Sequence, residues 1–229
     1  MSTFAEIYSD AAAAEQKQRA VAIHLTMPEA ARKRPNAIHQ NQIEMLVQQL
    51  FFQQGAAHVR HVGFSAVETS SAVSALCFDV ASSLASQGGY DVALVDASLN
   101  SPALHTELGL ASSSQDESGW PIAPHLWLVD RGHWLPEGNR NITAGCASRL
   151  REVLSEFDFS VLRYGAASSL STNLAKACDG VVLVLAANKT RRLVAAQIKE
   201  QITQAHITLL GSILADRKFP VPHSLYRNL

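Results

Sequence analysis

Short, nearly unbroken aliphatic runs alternate along most of this chain with longer segments whose apolar residues recur at helical spacing. The runs are HVRHVGFSAV (His58 to Val67), YDVALVDA (Tyr90 to Ala97), HLWLVDRG (His125 to Gly132), FSVLRY (Phe159 to Tyr164), GVVLVLAA (Gly180 to Ala187) and ITLLGSILA (Ile207 to Ala215). Helix-patterned stretches precede or separate them at Ile38 to Phe52, Ser70 to Ser86, Ala144 to Phe157, Ser169 to Ala177 and Arg191 to Ala205, with a short one near Pro102 to Leu108. A strand without a polar face must be covered on both sides, and helical crossovers between such strands run them parallel. The pattern predicts an α/β fold: a mostly parallel, twisted sheet with helices on both faces. No internal repeat is present.

The first 40 residues differ from the rest. Ala11 to Ala20 reads as helix, VAIHLTM (Val21 to Met27) as a short strand or extended segment, and PEAARKRPN as a basic, proline-bounded linker. The expected organisation is an arm and linker over 1–40 and one α/β domain over 41–229. A hydrophobic content of 47% over 229 residues supplies a single large core. The net charge of -1 gives no general attraction to nucleic acid or anionic lipid, so either would need a local basic patch, and no nucleic acid partner is expected. The polar acidic start and the lack of a membrane-length apolar run point to the cytoplasm.

Metal chemistry finds little support. Cys77, Cys146 and Cys178 are far apart, and Cys77 and Cys178 lie in apolar stretches that suit buried thiols. His58 and His61 fall on opposite faces of a strand, His125 and His133 flank another, and neither HxH nor HExxH occurs among the nine histidines. No GxSxG elbow supports a hydrolase.

In parallel α/β sheets ligands bind beyond the carboxyl ends of the strands. The loop after the first core strand is SAVETSSAVS, Ser65 to Ser74, and a phosphate-cradling loop there would need glycines, a lysine and a Ser or Thr. With the phrases ASSLASQGGYDVALVDASLNSPALHTELGL, FDFSVLRYG, DGVVLVLAANKTRR and LLGSILADRKFPVPHSLYRNL, this loop resembles the MinD- and ParA-like deviant P-loop group. It is most similar to the tyrosine-kinase domains of bacterial polysaccharide export. The resemblance runs from about Asn41 to the end of the chain and implies a P-loop NTPase-like fold.

The functional positions depart from that family. Ala72 and Val73 stand where its Gly-Lys would be, while Ser74 keeps the magnesium Ser/Thr position. The loop has no glycine, and no lysine lies between Arg60 and Lys176. The family's Asp-Ala-Asp strand end is Asp96-Ala97-Ser98, and Arg163 replaces the carboxylate that follows the next motif strand. The adenine-contacting asparagine would fall at Ala215 or Asp216, and the ring-forming ExxRxxR pattern at Asn41, Glu44 and Val47. The tyrosine cluster is reduced to Tyr226.

These departures imply a pseudokinase: no catalytic residues, no bound ATP or magnesium, and a vestigial site at Ser65, Ser71, Ala72, Val73, Ser74, Asp96 and Arg163. Arg163 is expected to pair with Asp96 and neutralise the old metal position. The resemblance implies docking on the cytoplasmic part of a membrane polysaccharide co-polymerase or another export protein, at the inner face of the membrane, with self-association left open. Trp120 and Trp134, in loops beside proline, and Phe219, Tyr226 and Arg227 in the tail are candidates for partner contact, with core capping the competing reading for the tryptophans and Trp127 a core residue. Two alternatives stay open. One is a MinD/ParA-like positioning or assembly factor, for example for a pilus. The other is an ATP-binding protein whose Ser65, Ser70, Ser71 and Ser74 hydroxyls replace the missing loop.

Overall fold

The computed structural model describes residues 37–52, 58–67, 72–99, 101–110, 119–135, 144–167, 170, 172–187 and 189–215. In chain order the elements are α1 (Ala37–Phe51), β1 (His61–Ala66), α2 (Ala72–Ser86), β2 (Val92–Asp96), α3 (Leu104–Glu107), β3 (Trp120–Ala123) and β4 (Leu126–Val129). A 3-10 turn at Arg131–His133 follows, then α4 (Ala144–Ser155), β5 (Phe159–Ala166), α5 (Thr172–Ala175), β6 (Gly180–Ala186), α6 (Arg192–Gln204) and β7 (Leu209–Ala215). The domain boundary expected at residue 41 falls inside α1. Of the arm, only Ala37 to Gln40 lies among the described residues.

The strands form one seven-stranded sheet in the order β3-β4-β2-β5-β1-β6-β7. Every neighbouring pair is parallel except β3 with β4. The expected α/β architecture is therefore the observed one. The exception, β3, was not legible as a strand because Pro121 and the turn residues around it read as loop. An edge strand tolerates proline, since its outward amide has no ladder partner to lose, and β3 is the edge.

The sheet is covered on both faces, which is why its strands lack a polar side. One core layer joins Ile43, Val47 and Phe51 of α1 and Val73, Cys77, Val80 and Leu84 of α2 to Val62, Phe64, Leu94 and Val161. The other joins Leu150 and Leu154 of α4, Leu174 of α5 and Ile198 and Ile202 of α6 to Val95, Leu162, Tyr164 and Leu183. Helix α2 stops before Gly88-Gly89 for a backbone reason: φ is 102° at Gly88 and 83° at Gly89, where a side chain would be strained.

Gly63 is a close-approach glycine. A Cβ there would collide with Tyr164 Cε2 and lie 2.8 Å from Cδ2. The ring cannot swing away freely, because its hydroxyl donates to the Leu174 carbonyl at 2.8 Å inside the core. Gly63→Ala is expected to cost about 1–3 kcal/mol, measured by urea denaturation, and a loss within a few tenths would show that the ring yields.

Candidate functional site

β5 is inserted between β1 and β2, while the chain passes from β5 to β6 across β1. The order thus reverses around β1, and a parallel sheet opens its ligand crevice at such a point, beyond the carboxyl ends. Asp96 is the last residue of β2 and Arg163 its register partner on β5. Both belong to the α2 side of the sheet, by alternation with Leu94 and Val161.

The expected pair is present: Arg163 Nη2 donates to Asp96 Oδ1 at 3.1 Å. Both are buried, at 0% exposure for Asp96 and 3% for Arg163. A second cation that sequence reasoning missed completes the arrangement, for Arg131 Nε donates to Asp96 Oδ2 at 3.2 Å. Oδ1 also accepts the Ser98 amide at 3.1 Å and the Ser98 hydroxyl at 2.9 Å. Oδ2 also accepts the Leu104 amide at 3.0 Å. Five donors thus converge on a carboxylate with about four lone-pair sites.

The guanidiniums also fold the loop that follows β2. Arg131 Nη1 and Nη2 donate to the carbonyls of Leu99 and Ser101 at 3.3 and 3.0 Å. Arg163 Nη2 donates to the Pro102 carbonyl at 2.7 Å. Arg163 Nη1 lies 3.6 Å from Glu107 Oε1, and the Ser74 hydroxyl donates to Glu107 Oε2. Glu107 is the second residue that sequence reading passed over; ending a one-turn helix, it has no motif around it.

Of the described residues of the expected vestigial site, Ser74, Asp96 and Arg163 come together, while Ser65 and Val73 are turned into the core. Ser65 sits on the opposite side of β1 from Phe64 and Ala66, fully buried, and its hydroxyl donates to the Gly165 carbonyl at 2.8 Å. Its place in that site is corrected, because strand alternation turns it away from Asp96. Val73 is 2% exposed in the α2 core layer, and Ala72 opens the same helix. Ser70 and Ser71 lie outside the described residues.

This donor set does not fit a magnesium–nucleotide complex. The Asp96 carboxylate is already saturated by donors, the Ser74 hydroxyl is committed to Glu107, and the buried Arg163 guanidinium stands between the two carboxylates. A fixed cation there repels a metal ion.

Other candidates resolve differently. Trp120 is 5% and Trp134 0% exposed, which corrects the expectation that they anchor a partner. Trp120 packs into the α2-side core with His105 at 6.0 Å between ring centroids. Trp134 seals the opposite layer while its indole donates to the Asp96 carbonyl at 3.2 Å. Trp127 is half-buried against that layer. Phe219, Tyr226, Arg227 and Asp216 lie outside the described residues. Within the ring-pattern positions Asn41 and Glu44 are exposed, but Val47 is wholly buried and serves the core.

Burial pushes Cys77 far above its usual range and Cys178 up to about 11. Burial likewise raises the Tyr164 phenol and lowers His61. Among the described residues no group of three or more His, Cys, Asp or Glu could hold a metal ion, and no helix is long and apolar enough to cross a membrane.

No family model matches the sequence, and no curated protein matches it. Solved structures do match its fold. The chimerical protein CapA2B2 superposes with a TM-score of 0.67 at 17% identity, over 80% of this chain and 87% of that one. The kinase domain of Escherichia coli tyrosine kinase ETK gives 0.64 at 12%, over 90% and 96%. A ParA family ATPase from Chlorobium tepidum TLS gives 0.56 at 18%, over 68% and 73%. The likeness is one of fold, shared with a tyrosine-kinase domain and a ParA family ATPase.

Proposed function

We propose that this chain is a non-catalytic relative of the polysaccharide-export tyrosine kinases, working as a regulator or scaffold at the cytoplasmic face of the export machinery. The observation that carries the reading is the saturation of Asp96 by two guanidiniums, a hydroxyl and two amides. A carboxylate so engaged offers nothing to magnesium, and the buried Val73 offers nothing to a phosphate. What remains for such a domain is binding, with the cytoplasmic part of a membrane co-polymerase or another export protein as the partner.

Isothermal calorimetry with ATP and magnesium is expected to give no binding heat, and no phosphate release above buffer. Micromolar affinity, or hydrolysis abolished by Asp96→Ala in a protein that stays folded, would overturn the pseudoenzyme reading. A pull-down from solubilised membranes is expected to bring down a polysaccharide co-polymerase.

The ParA-type likeness supports a second reading, a positioning or assembly factor, for example for a pilus. Export and glycosyltransferase genes beside this one would favour the first reading, and pilus assembly genes the second.

A further inference from the structure

The near-neutral chain attracts anionic surfaces only through a local basic patch, and the structure contains a corner of that character. Five large apolar side chains are exposed among the described residues, and three of them are Leu193 at 78%, Val194 at 36% and Leu214 at 55%. Leu193 and Val194 occupy the first turn of α6, which starts just after β6 leaves the sheet. Leu214 is the penultimate residue of β7, the edge strand, in register with Leu185 of β6. All three therefore lie at the carboxyl end of the β6–β7 edge.

Lys189, Arg191 and Arg192 are exposed around them. None of the three makes an ion pair among the described residues, whereas Arg131 and Arg163 do. From Gly180 to Lys199 the sequence holds Lys189, Arg191, Arg192 and Lys199 and no carboxylate.

Local stability does not account for this composition. The N-cap of α6 is Arg191, which makes no side-chain cap, and the first turn has no acid. Cations at a helix N-terminus oppose the helix dipole, where Asp, Ser or Thr would help. Leu193 is set well around the helix from the buried Ile198 and Ile202, at about 100° per residue, so it faces away from the core. A single exposed leucine is ordinary. Three aliphatic side chains among three cations with no ion pair among the described residues, at a turn that helix propensity would build otherwise, are a surface with another use.

We propose that this corner rests on an anionic lipid bilayer, with Leu193 and Val194 entering the headgroup boundary and Lys189, Arg191 and Arg192 meeting lipid phosphates. The combination is that of an interfacial anchor, in which aliphatic insertion and electrostatic attraction add. A nucleic acid would use the cations but leave the aliphatic groups in water, and the described residues of the corner include no aromatic side chain for base stacking. The inference deepens the membrane-associated reading above by naming the surface, and its test is separate.

The full chain is sedimented with phosphatidylcholine vesicles, and with vesicles containing about a third phosphatidylglycerol, at low and high salt. Binding is expected to be about tenfold tighter or more to the anionic vesicles, and to fade at high salt. Arg191→Glu with Arg192→Glu is expected to abolish that preference. Leu193→Ser is expected to weaken binding severalfold at low salt with an unchanged melting temperature, a readout that charge alone would not move. Equal binding to both vesicle types, binding indifferent to both variants, or duplex DNA bound through the arginines with no anionic-vesicle preference would each overturn the proposal. Vesicle binding without co-polymerase capture would sink the partner reading and leave this one standing; capture without vesicle binding would do the reverse.

Discussion

Asp96→Ala is expected to destabilise the domain by about 3–5 kcal/mol, because it strands buried positive charge. Arg163 is 3% exposed, and its Nε already lacks a hydrogen-bond partner in the structure. Without Asp96 its Nη2 keeps only the Pro102 carbonyl, and Arg131 keeps only the Leu99 and Ser101 carbonyls. The Ser98 hydroxyl and the Leu104 amide lose their acceptor as well. Against a total of about 5–15 kcal/mol for a typical domain, the loss would consume much of the margin. Urea denaturation at neutral pH measures it. The double variant Asp96→Ala with Arg163→Met is expected to recover part of the loss, since removing both charges costs less than removing one. A loss below about 1 kcal/mol in the single variant would mean that the loop carbonyls and Glu107 satisfy both guanidiniums without Asp96.

The Asp96–Arg163 pair was legible in the sequence because strand register fixes it. Once β2 and β5 are neighbours in a parallel sheet, residues at matching register and parity must meet. Arg131 was not legible, because its reach depends on a 3-10 turn after β4 and on the fold of the Leu99 to Pro102 loop. No periodicity encodes either. Ser65 failed for a related reason: it lies near Asp96 in a motif alignment, but period-two alternation sends it to the other face. The tryptophans were left open between core capping and partner contact by their neighbours, and core capping is what the structure shows. Pro121 and Pro136 signalled loops, and loops suggested exposure, yet an edge strand and a turn can both point an indole into the core. The helices were read within a few residues of their bounds wherever an aliphatic strand followed. The fold was thus carried by hydrophobic pattern, whereas the site depends on which turn delivers which charge.

Arg163→Asp is expected to be at least as damaging as Asp96→Ala in the absence of divalent ions, and to make stability depend on them. The substitution removes the partner of Asp96 and sets a second carboxylate beside it across the β2–β5 ladder, with Glu107 and Ser74 close by. Two carboxylates sharing a buried site cannot both ionise cheaply, so one proton is retained or the strands part. The stranded Asp96 still has Arg131 on Oδ2, which limits the repulsion but not the loss of the Pro102 tie. Magnesium or manganese can then do what the guanidinium does in the native protein. Ion present at about 100 times its dissociation constant would return about 2.7 kcal/mol, a rise of several degrees in melting temperature for a domain of this size. The wild-type protein is expected to show no such rise, because its Asp96 has no lone pair to give. A variant as stable as wild type, with no response to either ion, would show that Arg163 does not neutralise this site. A variant that is destabilised yet deaf to both ions would show that the loop closed over Asp96 does not open to an ion. The pair of measurements separates an arginine that neutralises a carboxylate site able to accept a divalent ion from one that serves only to pack the loop after β2.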